Sequence, residues 1–81
     1  MSPTVFIFGK YRFYFNSREE TRMHVHIQSA NGEAKFWLEP LIALSDSYSL
    51  KTSELKEIQK IVEDRRNEII EAWKKHFINK R

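Results

Sequence analysis

From Thr52 to Arg81 the chain contains neither glycine nor proline. Along the same stretch apolar residues fall at Leu55, Ile58, Val62, Ile69, Trp73 and Phe77, with Ile61 and Ile70 flanking them. Steps of three, four and seven mark one face of an α-helix. A helix over residues 52–79 is therefore expected, with Thr52 or Ser53 capping its start and Glu54 and Glu57 at the positive end of its dipole. Uninterrupted over 53–78 it would be about 39 Å long. A chain of 81 residues forms a globule only about 30 Å across. The stripe also weakens at Arg65-Arg66-Asn67, so the helix should bend or break there, or its last turns should overhang. An overhanging Trp73 and Phe77 would be binding residues for a partner protein or a second copy of the chain.

The first half has a different period. Val5-Phe6-Ile7-Phe8 and Tyr11-Arg12-Phe13-Tyr14-Phe15 flank Gly9-Lys10, a pair suited to a type II′ hairpin turn. That turn sets Phe8 opposite Tyr11 and Phe6 opposite Phe13. Phe6, Phe8, Tyr11, Phe13 and Phe15 then share the face expected to be core; Val5, Ile7, Arg12 and Tyr14 share the other. Residues 16–22 are polar and read as an exposed connection. Met23 to Gln28 alternates strictly, and Asn31-Gly32 is a type I′ signal before Glu33 to Glu39. Centring the turn on Asn31-Gly32 pairs Ala30 with Glu33, Gln28 with Lys35, His26 with Trp37 and His24 with Glu39. Ile27 then meets Phe36, and Val25 meets Leu38. Val25, Ile27, Phe36 and Leu38 would lie beneath the helix. His24, His26, Gln28, Lys35, Trp37 and Glu39 would occupy the opposite face. Leu41 to Leu44 fits a short fifth strand or irregular chain, and Ser45 to Ser49 reads as a turn.

The expected fold is α+β: an antiparallel β-meander of four or five strands with a long C-terminal helix packed on one face. One domain over 1–81 is expected, with the sheet in 1–44, a connection in 45–51 and the helix in 52–79. A chain this short buries only about 60% of its unfolded surface, so its aromatic residues, 14% of the total, should carry much of the packing. Without cysteine there is no disulfide and no thiol nucleophile. No Gly-rich phosphate loop or Gly-x-Ser-x-Gly elbow occurs, and no apolar run approaches a membrane span of about 18 residues. The absence of an export signal points to the cytoplasm. Residues 1–50 balance five basic against five acidic side chains, whereas 51–81 carry nine against six. Lys74, Lys75, Lys80 and Arg81 make the helix end basic, which suits its macrodipole and could also meet an acidic partner or nucleic acid.

One cluster carries chemistry. His24 and His26, two apart on a strand, leave the same face, with Cβ atoms about 7 Å apart. Three readings follow. As base and acid across a scissile phosphate, with Lys35 steadying the developing charge, they would make a catalytic set of His24, His26 and Lys35. Trp37 would stack an unpaired base and Glu39 would hold the His24 tautomer. As metal ligands they would need a third group from Glu33, Glu39 or His76. As neither, they would belong to a half-exposed interface with Trp37, Glu39, Arg12 and Tyr14, or simply to partly buried cross-strand packing.

Pro3-Thr4-Val5, the Gly9 hairpin, His24-Val25-His26, Gly32-Glu33-Ala34 and Glu71-Ala72-Trp73 occur in an order that resembles the small prokaryotic proteins of domain of unknown function 4160. Members usually carry one or two prolines just before the His-x-His pair, where this chain has Arg22-Met23. The resemblance implies no established activity. It implies a gene context like that of toxin–antitoxin modules. The leading expectation is a small cytoplasmic interaction or regulatory module, one half of such a pair, acting without a cofactor on a protein partner or as a homodimer. The rivals are a metal-independent ribonuclease toxin, which would contact RNA through His24 and His26, and a divalent-metal-binding domain. Whether the chain is an enzyme stays open at this point.

Overall fold

The computed structural model describes residues 4–16 and 22–78. Five strands run in chain order across one antiparallel sheet: β1 (Thr4–Phe8), β2 (Tyr11–Tyr14), β3 (His24–Gln28), β4 (Glu33–Trp37) and β5 (Ala43–Tyr48). Two helices follow, α1 (Thr52–Asp64) and α2 (Arg66–Ile78). The α+β meander is thus present, with two helices in place of one long one. Parts of the expected polar connection (17–21) and of the basic tip (79–81) lie outside the described residues.

The first hairpin has the expected register, with Phe8 opposite Tyr11 and Phe6 opposite Phe13. Gly9 supplies the positive φ of 60° that a Gly-first turn requires. Tyr11, Phe13 and Phe15 are buried, but Phe8 stays 43% exposed. The Arg65 guanidinium lies over the rings of Phe6 and Phe8, 4.6 and 5.1 Å from their centroids, and roofs the end of this face.

The second hairpin corrects the expected pairing. His24 faces Trp37, Val25 faces Phe36, His26 faces Lys35, Ile27 faces Ala34 and Gln28 faces Glu33. Its turn is centred on Ala30-Asn31, one residue earlier than the Asn-Gly signal. Ser29 causes this: its hydroxyl accepts the backbone N–H groups of Asn31 and Gly32, both at 3.3 Å, and its own N–H donates to the Gly32 carbonyl at 2.9 Å. Side-chain capture of nearby N–H groups is a habitual role of serine in turns. Moving the turn centre by one residue moves every partner by two, which leaves each side chain on its expected face. Gly32 has no positive φ. Its role is close approach, because a Cβ there would lie 2.0 Å from the Tyr48 carbonyl oxygen.

Ser45 to Ser49 is not a turn. Residues 43–48 pair with β4 as an edge strand, with a register shift between Lys35 and Phe36 that leaves Ser45 as the extra residue. All six side chains of β5 are exposed. Its hold on the sheet is through the backbone ladder, which polar residues provide as well as apolar ones. Ser49, at φ 57°, then turns the chain out of the sheet toward α1.

The helix breaks where the apolar stripe weakens. Arg65 leaves helical geometry at φ −111° and ψ 22°, and α2 begins at the next residue. Each helix has 13 residues, about 20 Å of length, and so fits along the sheet. The cap differs from expectation: Lys51 is the N-cap, and the Glu54 carboxylate reaches back to accept its N–H at 2.9 Å. The other Glu54 oxygen accepts Lys10 Nζ at 2.9 Å, and the Tyr11 hydroxyl donates to Glu57 at 2.8 Å. These contacts pin the first hairpin to the start of α1. The backbone N–H of Lys51, followed by the Lys10 ammonium, holds the Glu54 carboxyl below its ordinary value. The hydrogen bond that Lys10 donates to Glu54 raises Lys10, and burial followed by the bond to Glu57 raises Tyr11.

Phe13, Val25, Ile27, Phe36 and Leu38 form one buried cluster with Ile58, Ile61, Val62 and Ile69 of the helices. Both helices therefore pack on the face expected to be apolar, and Trp73 of α2 also reaches His24 on the opposite face.

Candidate functional site

The open face is set by alternation. Register places Arg12 and Tyr14 of β2 beside Gln28 and His26 of β3, and His24 and His26 beside Trp37 and Lys35 of β4. The aromatic side chains then stand in a row across three strands. Tyr14 stacks on His26 (5.3 Å between centroids, 26° between planes). His26 meets His24 edge-on at 5.1 Å, and His24 meets Trp37 edge-on at 5.6 Å.

Cations rest on both ends of the row. The Arg12 guanidinium lies 4.6 Å from the Tyr14 centroid. Trp37 carries the Arg22 guanidinium at 4.0 Å and the Lys35 ammonium at 4.6 Å. Contacts of this kind contribute about 0.5–1 kcal/mol each when exposed. Arg12 also donates to Thr4 Oγ1 at 2.8 Å and to Gln28 Oε1 at 3.2 Å. Tyr14, His26, Lys35 and Trp37 are half-buried and Arg22 is exposed. Beside the row, a shallow depression of about 220 Å³ is lined by His26, Lys35, Glu33, Asp46, Ser47 and Tyr48.

The two histidines differ sharply. His24 is 1% exposed, enclosed by His26, Trp37 and, from α2, Trp73 at 5.2 Å. Its Nδ1 lies 2.8 Å from the Arg22 carbonyl. A carbonyl only accepts, so Nδ1 carries a proton and the tautomer is fixed by the backbone. Glu39, expected to do that work, is engaged elsewhere: its carboxylate accepts the Met23 N–H at 2.9 Å and its carbonyl accepts from Arg22 Nε at 2.9 Å. A proline at position 23 could not donate that bond. His26 is half-buried and the less enclosed member of the pair, and its Nε2 is 3.1 Å from the Asn16 amide nitrogen. The amide N–H donates there, which places the His26 acceptor nitrogen on Asn16.

The Trp73 and Phe77 helix end does not overhang. Trp73 is 8% exposed and packs on Phe15 at 5.4 Å and on Phe77 at 4.2 Å. Phe77 is half-buried against the same cluster. Both are packing residues in this fold. Among the described residues no group of three or more histidine, aspartate or glutamate side chains is placed to hold a metal ion. The contributions of Arg22 and Asn16 were not readable in the sequence. Both flank a polar connection, and they gain their roles only when β2, β3 and the Glu39 segment come together.

An antiparallel five-stranded meander with two C-terminal helices and a cation-flanked aromatic row defines the class: a small α+β domain. The chain belongs to the domain of unknown function family DUF4160, whose family model matches residues 10–74. Neither the curated proteins nor the solved structures contain a match. Among the described residues no helix is long and apolar enough to cross a membrane.

Proposed function

We propose that this protein is a non-enzymatic binding module that engages its partner through the open sheet face. The observation that carries this reading is the enclosure of His24. General acid–base cleavage of a phosphodiester needs two groups within reach of the substrate. One imidazole of the pair is buried, with its Nδ1 proton committed to a backbone carbonyl. What remains accessible is suited to contact: half-buried rings, cations resting on them and a shallow depression. Aromatic residues and arginine are the side chains that most often dominate binding surfaces. In the gene context implied by the family resemblance, the module would serve in the cytoplasm of a prokaryote as one half of a toxin–antitoxin pair.

The test is photo-crosslinking in cells. A photoreactive residue replaces Tyr14 or Tyr48 on the open face, or Lys60 on the exposed side of α1. Adducts of discrete size are expected from Tyr14 and Tyr48 and not from Lys60. Adducts from Lys60 alone, or from all three positions equally, would contradict the assignment of the face.

A further inference from the structure

We infer that the outer edge of β5 takes an extended segment of a partner protein as a sixth strand, with a lysine or arginine of that segment on Asp46 and Tyr48 and an apolar side chain beside Leu44. The inference goes beyond the open-face reading and does not rest on it. Three observations carry it.

First, β5 is the edge left for pairing. The sheet runs in order from β1 to β5, so these two strands are its edges. An edge strand turns a row of backbone N–H and C=O groups outward, a template for a further strand. β1 is half-buried at Val5 and Phe6, Arg12 bonds its Thr4 and Arg65 covers its Phe8. β5 is exposed at all six positions. It carries neither the lysine nor the proline that ordinarily blunts an edge.

Second, apolar surface gathers there. Of the five large apolar side chains exposed among the described residues, three lie on β5 or at its entry: Leu41, Leu44 and Tyr48. Leu44 pairs with Phe36 on the side that the helices pack against, whereas Asp46 and Tyr48 pair with Lys35 and Glu33 on the other. The side chains of an added strand alternate between those two sides. One set meets Leu44, and the other meets Asp46 and the Tyr48 ring.

Third, charge selects the occupant. Asp46 is the only charged residue of β5, and its Oδ1 accepts the Ser47 N–H at 2.9 Å, which keeps the carboxylate beside the edge backbone. The depression at this edge is lined by two carboxylates, Glu33 and Asp46, against the single ammonium of Lys35. A second copy fits poorly. Antiparallel pairing about the middle of β5 would bring two Asp46 carboxylates together, and like charges opposite each other destabilise a strand pair. The same carboxylate attracts a cation, so the strand that fits is basic on one side and apolar on the other. Main-chain bonds then give affinity, and the alternating side chains give specificity.

The experiment titrates the full ¹⁵N-labelled chain with a blocked peptide of four lysine–valine repeats and follows the backbone amides by NMR. The peptide with glutamate in place of lysine and the lysine peptide with every backbone N–H methylated are the controls. The lysine peptide is expected to give saturable shifts centred on residues 43–48. The glutamate peptide and the methylated peptide are each expected to bind at least tenfold more weakly. Asp46→Lys, a change at an exposed position, is expected to reverse the preference in favour of the glutamate peptide. Shifts centred on β1 or on the helices, no saturable shift, or equal binding of the methylated peptide would overturn the inference. An unchanged preference in Asp46→Lys would overturn the charge assignment and with it the proposed occupant. Concentration-dependent shifts of the β5 amides in the peptide-free protein would assign the edge to a second copy and overturn it as well.

Discussion

Replacing Gly32 by alanine is expected to destabilise the fold by about 3 kcal/mol, near the top of the range for overpacking. The new Cβ would meet the backbone of Tyr48 and Ser49: the Tyr48 oxygen at 2.0 Å and the Ser49 carbonyl carbon and oxygen at 2.8 and 2.9 Å. Backbone cannot swing aside as a side chain can. Relief requires the end of β5 to separate from the second hairpin, and the pairs from Glu33–Tyr48 inward would be disturbed. In a domain this small, the change should lower the melting temperature by about 12–24 °C. Gly9→Ala is the contrasting variant. Gly9 has a positive φ but nothing within 4 Å of its missing Cβ, so the loss there is only the backbone strain of about 1–2 kcal/mol. Thermal melts of the two proteins decide the matter. A Gly32→Ala protein as stable as Gly9→Ala, or more so, would contradict the packing of β5 against this turn.

Trp73→Ala is expected to cost about 3–5 kcal/mol, the usual range for deleting a buried tryptophan. The full stability of a chain of 81 residues is on the order of 4–12 kcal/mol. One side chain therefore holds a large share of it. Trp73 contacts Phe15, Phe77 and His24, so its loss would open a cavity between α2 and the sheet and uncover the His24 imidazole. Urea unfolding should show a much lower midpoint. A loss below about 1 kcal/mol, within the range of ordinary surface substitutions, would mean that Trp73 is a surface anchor, as an overhanging helix end would have made it.

How far the fold was legible depends on where each instruction lies in the chain. Gly9-Lys10 is a local signal with no competitor, and the register it sets is the one observed. Asn31-Gly32 is an equally strong signal, but Ser29 overrides it with a side chain that bonds two N–H groups. The faces survived because a two-residue slip preserves alternation. β5 was only partly legible: the fifth strand expected over Leu41 to Leu44 begins at Ala43 and runs on to Tyr48, because an exposed edge strand needs only backbone pairing and Ser45-Asp46-Ser47 carries no apolar alternation to announce it. The helix break was visible as a gap in the stripe at Arg65-Arg66-Asn67, and the observed break falls at Arg65.

The site was legible as a set of residues and not as an arrangement. Alternation alone puts His24, His26, Lys35 and Trp37 on one face. The burial of His24 comes from Trp73, forty-nine positions away in sequence, and no local pattern encodes that contact. Arg22 and Asn16 join for the same reason, since each gains its partner only through tertiary closure.

The central claim is that the open face presents one half-buried imidazole and a cation-flanked row of rings, not a catalytic pair. A soluble paramagnetic probe tests it most directly, by attenuating side-chain NMR signals in proportion to their exposure. The His26 ring and the Trp37 indole should be strongly attenuated, while the His24 ring and the Trp73 indole should keep their intensity. Equal attenuation of the two imidazoles would contradict the account and restore the pair to solvent.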